Sequence, residues 1–461
     1  MIFITLITII MRTRNILACA ALVALLGSVA CKKSFYTDVN INPNVPSSGS
    51  ITPTVLLPPI EAALGYLQGG DMSRFTSLNM QQVKGDLRQA QAYYTYTYTS
   101  QDFDNLWGNI YADVLENDKV LMQQADARGF NAYGGVARIL LAYTLQLTVD
   151  CWGSIPYSKA LQGATNLKPA FDTDKGLYDS VANLVDAGIA KLSDANPGAL
   201  KPDVEDIMYS GDASKWIKFG HAIKARLYIH QAKGDAAMAA HALTEMAQSF
   251  VSNADNAQYV FGNTETSAAP WYQYNEQRGD IGFSNGKAAG MMTALTDPRL
   301  PILVDTVQAH GGDGLLFYGA IDAPVEFITY DELLFASAEM VLRNGGAVAA
   351  AEQFYQAGIK ANMMKLGVKD ADITTYLANN GTLPAGIDAA ISQIATQEYL
   401  ALYLNPEVWN LWRRTDAPAL TPIAGQAVPR RFLYPQTEYS YNKANVPSSV
   451  TLVSPKIFWD K

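Results

Sequence analysis

GDASKWIKFGHAIKARLYIHQAKG, residues 211–234, reads as one helix with both ends marked. Asp212 stands where a cap is needed, Trp216, Phe219, Ile223 and Leu227 recur at helical spacing on one face, and Gly234 lies just past the end. The same grammar recurs downstream. Thr329-Tyr-Asp-Glu332 spells a capping box ahead of Leu333, Leu334, Ala338, Val341 and Leu342, and the pattern closes at Gly345-Gly346. A second helix is expected from about Ala349 to Leu366. Such pairs predict a mostly α fold of degenerate tetratricopeptide-like hairpins, since no alignable repeat signature is present. Between about Phe250 and Pro324 the pattern breaks into Gly-, Asn- and Pro-rich stretches, where loops are expected to carry function.

The 461 residues carry 34 basic and 43 acidic side chains, a net charge of -9. The longest basic clusters are the pairs Lys32-Lys33, Arg413-Arg414 and Arg430-Arg431, too short to track a phosphate backbone, so nucleic acid is not an expected partner. The beginning of the chain carries Arg12 and Arg14, an apolar run from Ile16 to Leu26, and Leu26-Gly-Ser-Val-Ala-Cys31, which resembles a bacterial lipobox. Residues 1–30 are read as a signal peptide whose translation starts at Met11, residues 31–53 as a lipidated Cys31 with an extended arm, and residues 54–461 as the folded domain. Of the three cysteines, Cys19 leaves with the signal and Cys31 takes lipid, so Cys151 has no partner for a disulfide. No later apolar run approaches the roughly 18 residues that a membrane-spanning helix needs.

Catalytic signatures are missing. There is no HExxH, G-x-S-x-G, C-x-x-C or phosphate loop. Asp102-Phe-Asp104 and Asp172-Thr-Asp174 are the nearest approach to a glycosidase carboxylate pair, and glycoside hydrolysis is kept as a remote alternative. His221 and His230, nine residues apart, face different sides of one helix and do not suggest a metal site.

Two segments suggest binding. In Arg88-Gln-Ala-Gln-Ala-Tyr-Tyr-Thr-Tyr-Thr-Tyr-Thr-Ser-Gln-Asp-Phe-Asp104, an extended chain would set Tyr94, Tyr96 and Tyr98 on one side, with Arg88 and Asp102 as polar partners. Trp271-Tyr-Gln-Tyr-Asn275 offers Trp271, Tyr272, Tyr274 and Asn275 in the irregular middle section. Aromatic faces flanked by amides and charges suit sugars, whose C–H faces lie on rings while their hydroxyls take hydrogen bonds. The competing reading for both segments is a tyrosine-rich stretch packed inward.

Nine short segments in order carry a resemblance. They include Asp38-Val-Asn-Ile-Asn-Pro-Asn-Val-Pro46, Trp107-Gly-Asn-Ile-Tyr111, Asp150-Cys-Trp-Gly-Ser-Ile-Pro156, Asp297-Pro-Arg-Leu-Pro301, Glu407-Val-Trp-Asn-Leu-Trp-Arg-Arg-Thr415 and Pro429-Arg-Arg-Phe-Leu-Tyr-Pro435. Together they resemble the SusD/RagB family of outer-membrane nutrient-binding lipoproteins, in the branch described as starch-binding associating with outer membrane. The resemblance implies a helical scaffold of four tetratricopeptide-like pairs with irregular ligand-binding loops, and no enzymatic activity or cofactor. It also implies a lipid-anchored protein at the cell surface that captures a glycan, or alternatively a peptide, for a SusC-type TonB-dependent transporter. Read physically, the Trp152 and Trp409–Arg414 motifs are expected to be architectural, burying indoles and pairing an arginine with a carboxylate.

Overall fold

The computed structural model describes residues 51–305 and 314–461. The signal, Cys31 and the arm up to residue 50 lie outside the described residues. Pro53–Lys461 forms one compact unit. It opens with α1 (Pro53–Leu67), a wide turn (Gln68–Met72) and α2 (Ser73–Asn79). Next come α3 (Arg88–Tyr94), α4 (Asp104–Asn109), a second wide turn (Ile110–Leu115) and α5 (Glu116–Arg128). The long helices α6 (Asn131–Trp152), α7 (Asp174–Leu192), α8 (Ala213–Gln231) and α9 (Ala237–Met246) follow. After α10 (Pro270–Gln277) the scaffold resumes with α11 (Tyr330–Arg343), α12 (Val348–Lys365), α13 (Ile387–Ala401) and α14 (Glu407–Thr415).

The helices pack in pairs, α6 on α7, α8 on α9, α11 on α12 and α13 on α14. Glycine sets how closely the first pair approaches. A Cβ at Gly135 would stand 2.5 Å from the Leu192 side chain and 2.9 Å from the Gly188 carbonyl, so any larger residue pushes α6 off α7. Around Phe335, the buried Leu342, Tyr355, Ile359, Met363 and Ile394 join α11, α12 and α13 into one apolar cluster. Strand is minor: Ala257–Val260 pairs antiparallel with Pro324–Ile328, and Lys84–Gly85 with Ile281–Gly282.

Helix starts follow the sequence with one correction. The Asp212 carboxylate accepts from the backbone N–H groups of Ser214 and Lys215, as a cap should. Thr329 also begins its helix on time, but its side chain makes no capping hydrogen bond. The box is not formed because Glu332 is drawn to Arg226, which donates to it from Nε and Nη2 at 2.7–3.0 Å. A buried guanidinium is the stronger claimant for a carboxylate than one backbone N–H. A capping box does form at Thr99 and Asp102.

The Trp152 and Trp409–Arg414 motifs become a buried polar lattice where α6, α8, α11 and α14 meet the end of the chain. Arg413 lies between the Trp409 and Trp459 rings, 4.3 and 4.8 Å from their centroids. It donates to the carbonyls of Asp150 and Arg430 at 2.6 and 2.7 Å, and to the Asn410 side chain. Arg414 pairs with Glu339 at 2.9 Å. His230 donates from Nε2 to Glu407 at 2.8 Å and meets the Tyr178 hydroxyl at Nδ1, also at 2.8 Å. Burial alone would raise the Glu407 pKa, yet His230 and Arg226 outweigh it and hold that carboxyl down at about 2. Glu332 goes the other way, to about 7, since burial prevails over Arg226. His221 sits apart from His230, bonded to Glu245, and Cys151 is buried and free.

Candidate functional site

The two aromatic segments are brought side by side, but not as the extended platform expected. Tyr94 ends α3, and Tyr96 takes a left-handed backbone with φ of 60°, so the period-two alternation is broken. Tyr96 and Tyr98 turn inward. Tyr96 accepts from Gln81 Nε2 at 2.9 Å and donates to the Asn79 carbonyl, while burial pushes its phenol up to about 12. Tyr98 donates to Asn79 Oδ1 at 2.8 Å and lies flat between Tyr93 and Phe103, with ring centroids 4.8 and 5.4 Å away. Both rings are buried, Tyr98 against Phe75, and inward burial outweighs the alternation. Asp102 is occupied by its capping box and by the Tyr93 hydroxyl. Arg88 is exposed and paired at 3.0 Å with the fully buried Asp280.

The second segment is helical rather than loop. Pro270 fits the first turn of α10, where its missing N–H costs nothing. The Trp271 indole is buried and donates to Ser73 Oγ at 2.8 Å, across 198 residues of chain. Tyr272 points to Glu265, its hydroxyl 3.2 Å from that carboxylate. Asn275 is half-buried with no hydrogen bond from its side chain among the described residues. Tyr274 faces a cleft. Arg74 covers the Tyr274 ring from 4.6 Å and is ion-paired with Asp71.

That cleft holds about 430 Å³ between α1, α4 and α10. Tyr66 and Arg74 line one side, Asn109 and Asp113 another, and Gln273, Tyr274 and Gln277 the third. Gly70 also lines it, and a non-helical ψ of −113° there interrupts the path from α1 into α2. Tyr66 is held by its hydroxyl, which donates to the Ala268 carbonyl, and by an edge contact with Phe261. Gln273 donates to the same carbonyl. The amides of Asn109 and Gln277 and the carboxylate of Asp113 are exposed and make no side-chain hydrogen bond among the described residues. Rings already held in place and amides left unspent are what a sugar needs.

Of the nine residues expected to bind, then, only Tyr274 lines this cleft. Tyr66, Arg74, Asn109, Asp113 and Gln273 were not anticipated. Asn109 falls inside the Trp107-Gly-Asn-Ile-Tyr111 motif, and Gly69-Gly70 between Tyr66 and Arg74 was a legible sign of a broken helix. A larger cleft of about 850 Å³ lies between residues 292–301 and 372–380, but its aromatic, Tyr376, is buried and its hydroxyl is taken by Gln397.

The acidic pairs are structural. Asp104 accepts from the Thr437 N–H, Asp172 from the Tyr157 and Ser158 N–H groups, and Asp174 from that of Phe458. Among the described residues no cluster of His, Cys, Asp or Glu is arranged to hold a metal ion, and no helix is long and apolar enough to cross a membrane.

Comparison with known proteins agrees with this architecture. The family model described as "Starch-binding associating with outer membrane" matches residues 43–435. A SusD/RagB family protein from Bacteroides thetaiotaomicron is 21% identical with a TM-score of 0.74, over 89% of this chain and 99% of that one. A chitin-binding protein is 23% identical with a TM-score of 0.76, over 89% of this chain and all of the other. A chitin-binding SusD homolog from Flavobacterium johnsoniae is 19% identical with a TM-score of 0.69, over 90% and 98% of the two chains. None of the curated proteins matches.

Proposed function

The chain belongs to the SusD-like family of starch-binding proteins associating with the outer membrane, and from that premise we propose that it captures an oligosaccharide in the cleft between α1, α4 and α10. The observation that carries the reading is the pairing of two held rings, Tyr66 through its hydroxyl and Tyr274 under Arg74, with the uncommitted amides of Asn109 and Gln277 in one cleft. The names of two similar structures, both chitin-binding, are in keeping with a glycan ligand. The captured sugar passes to a SusC-type TonB-dependent transporter on which a rigid face of the scaffold rests, and lipid on Cys31 holds the protein to the outer membrane at the cell surface. In this reading the protein binds and does no chemistry.

Glycan binding by the purified protein, measured beside that of Tyr274→Ala, tests the site. Wild-type binding that falls about tenfold in the variant, with melting unchanged, is expected; equal binding by both would move the ligand elsewhere. Purification from native membranes in mild detergent, for protein with Cys31 intact or replaced by Ala, tests the rest. The intact protein is expected to bring a transporter with it, and the variant to leave the membrane when the transporter is absent.

A further inference from the structure

Arg74, the cation in the lining of the cleft, is engaged by a carboxylate, whereas the Asp113 carboxylate in the same lining is engaged by nothing among the described residues. Arg74 is paired with Asp71 and lies against the Tyr274 ring. Arg278, which follows Gln277 at the end of α10, and Arg88 converge on the buried Asp280 at 3.4 and 3.0 Å. Glu276, exposed on the same helix, adds a further acid. Asp113 lines the cleft from the wide turn Ile110–Leu115, is exposed, and has no ion-pair or side-chain hydrogen-bond partner among the described residues.

A ligand carboxylate or sulfate entering here meets Asp113, while the cation in the lining, Arg74, is already paired and the excess charge of the two arginines sharing Asp280 is offset by Glu276, on a chain whose net charge is -9. Hydroxyl and acetamido groups meet no such penalty. The amides of Asn109 and Gln277 each offer a donor and an acceptor, which is the hydrogen-bonding character of an uncharged sugar. We infer that the cleft selects uncharged oligosaccharides and excludes uronic-acid and sulfated ones, with Asp113 as the excluding group. This rests on the glycan-capture reading above.

The test is calorimetric titration of the purified protein at low salt with two sets of probes. The uncharged set is malto-, xylo- and chito-oligosaccharides; the anionic set is oligogalacturonate and chondroitin sulfate oligosaccharides. Wild type is compared with Asp113→Asn and Asp113→Lys, and melting is recorded for each. The wild type is expected to bind at least one uncharged probe and no anionic one. Removing and then reversing one charge at this range should raise affinity for an anionic probe stepwise, by about tenfold per step, and added salt should erase the gain. Binding of an anionic probe by the wild type overturns the inference. So does a folded Asp113→Lys protein that gains no anionic ligand. Failure of both probe sets with every protein instead overturns the glycan reading itself, which keeps the two failures apart.

Discussion

The helix Glu407–Thr415 and the helix Pro270–Gln277 are built from the same materials and come to opposite ends. Each is short, each carries tryptophan or tyrosine, and each has an arginine stacked on one of its rings. In the first, Arg413 is enclosed by two indoles and donates from its two terminal nitrogens to the Asp150 and Arg430 carbonyls and the Asn410 side chain. In the second, Arg74 touches a single ring, and Tyr274 keeps a surface toward the cleft. Aromatic and arginine content therefore does not mark a binding site. What separates core from site here is enclosure: Trp409 is sealed inside the molecule, whereas Tyr274 lines an open cleft.

The comparison breaks most visibly at Arg413. Arg413→Met should lower unfolding free energy by about 4 kcal/mol, because the carbonyls it serves are left buried without donors; a denaturation midpoint equal to wild type would mean that the enclosed arginine is dispensable. The neighbouring Glu407 offers a test by pH. Its folded pKa of about 2 lies below the ordinary value of 4.5, so its stabilisation is present above about pH 4.5 and is lost as pH falls toward 2. That contribution is on the order of 3 kcal/mol, and Glu407→Gln should flatten the acid limb of stability by about one proton. A slope unchanged in that window would show that the carboxyl is not held ionised by His230 and Arg226.

Tyr98 and Tyr274 sharpen the same contrast with one substitution. Tyr98→Ala, which opens the stack with Tyr93 and Phe103, should cost about 3 kcal/mol of stability and affect binding only through unfolding. Tyr274→Ala should spare the melt and weaken glycan binding about tenfold. Exchanged outcomes would reverse the assignment of core and site. The smallest effect is expected from Arg74→Met, which keeps bulk beside the ring but loses the cation: about a threefold loss of affinity, with the melt within a degree or two.

Much of the scaffold was legible because its signals are local. Asp212 caps α8 where its spacing from Trp216 placed it, and α12 spans Val348–Lys365, within a residue of the expected ends. Thr329 shows the limit, since a partner 106 residues away, Arg226, removes Glu332 from the box that the sequence spells. The cleft was less legible for the same reason. Of the aromatics expected to bind, Tyr98 and Trp271 are drawn inward by Phe75 and Ser73, residues outside their own segments, whereas Tyr274 lies under Arg74 and lines the cleft. Periodicity reports which side of an element is apolar. It does not report which distant side chains compete for the polar atoms on the other side.

The bond from the Trp271 indole to Ser73 closes a span of 198 residues, and it sits directly behind the Tyr274 wall. A contact between segments so far apart in sequence is held by the packing around its two ends and by neither segment alone. The cleft therefore exists only where α10 has docked on the segment that carries Ser73, and no fragment ending short of α10 contains it. A sugar that occupies the cleft stabilises only the completed fold, by an amount that grows with the logarithm of its concentration. Nutrient supply would in this way extend the lifetime of the protein that collects it.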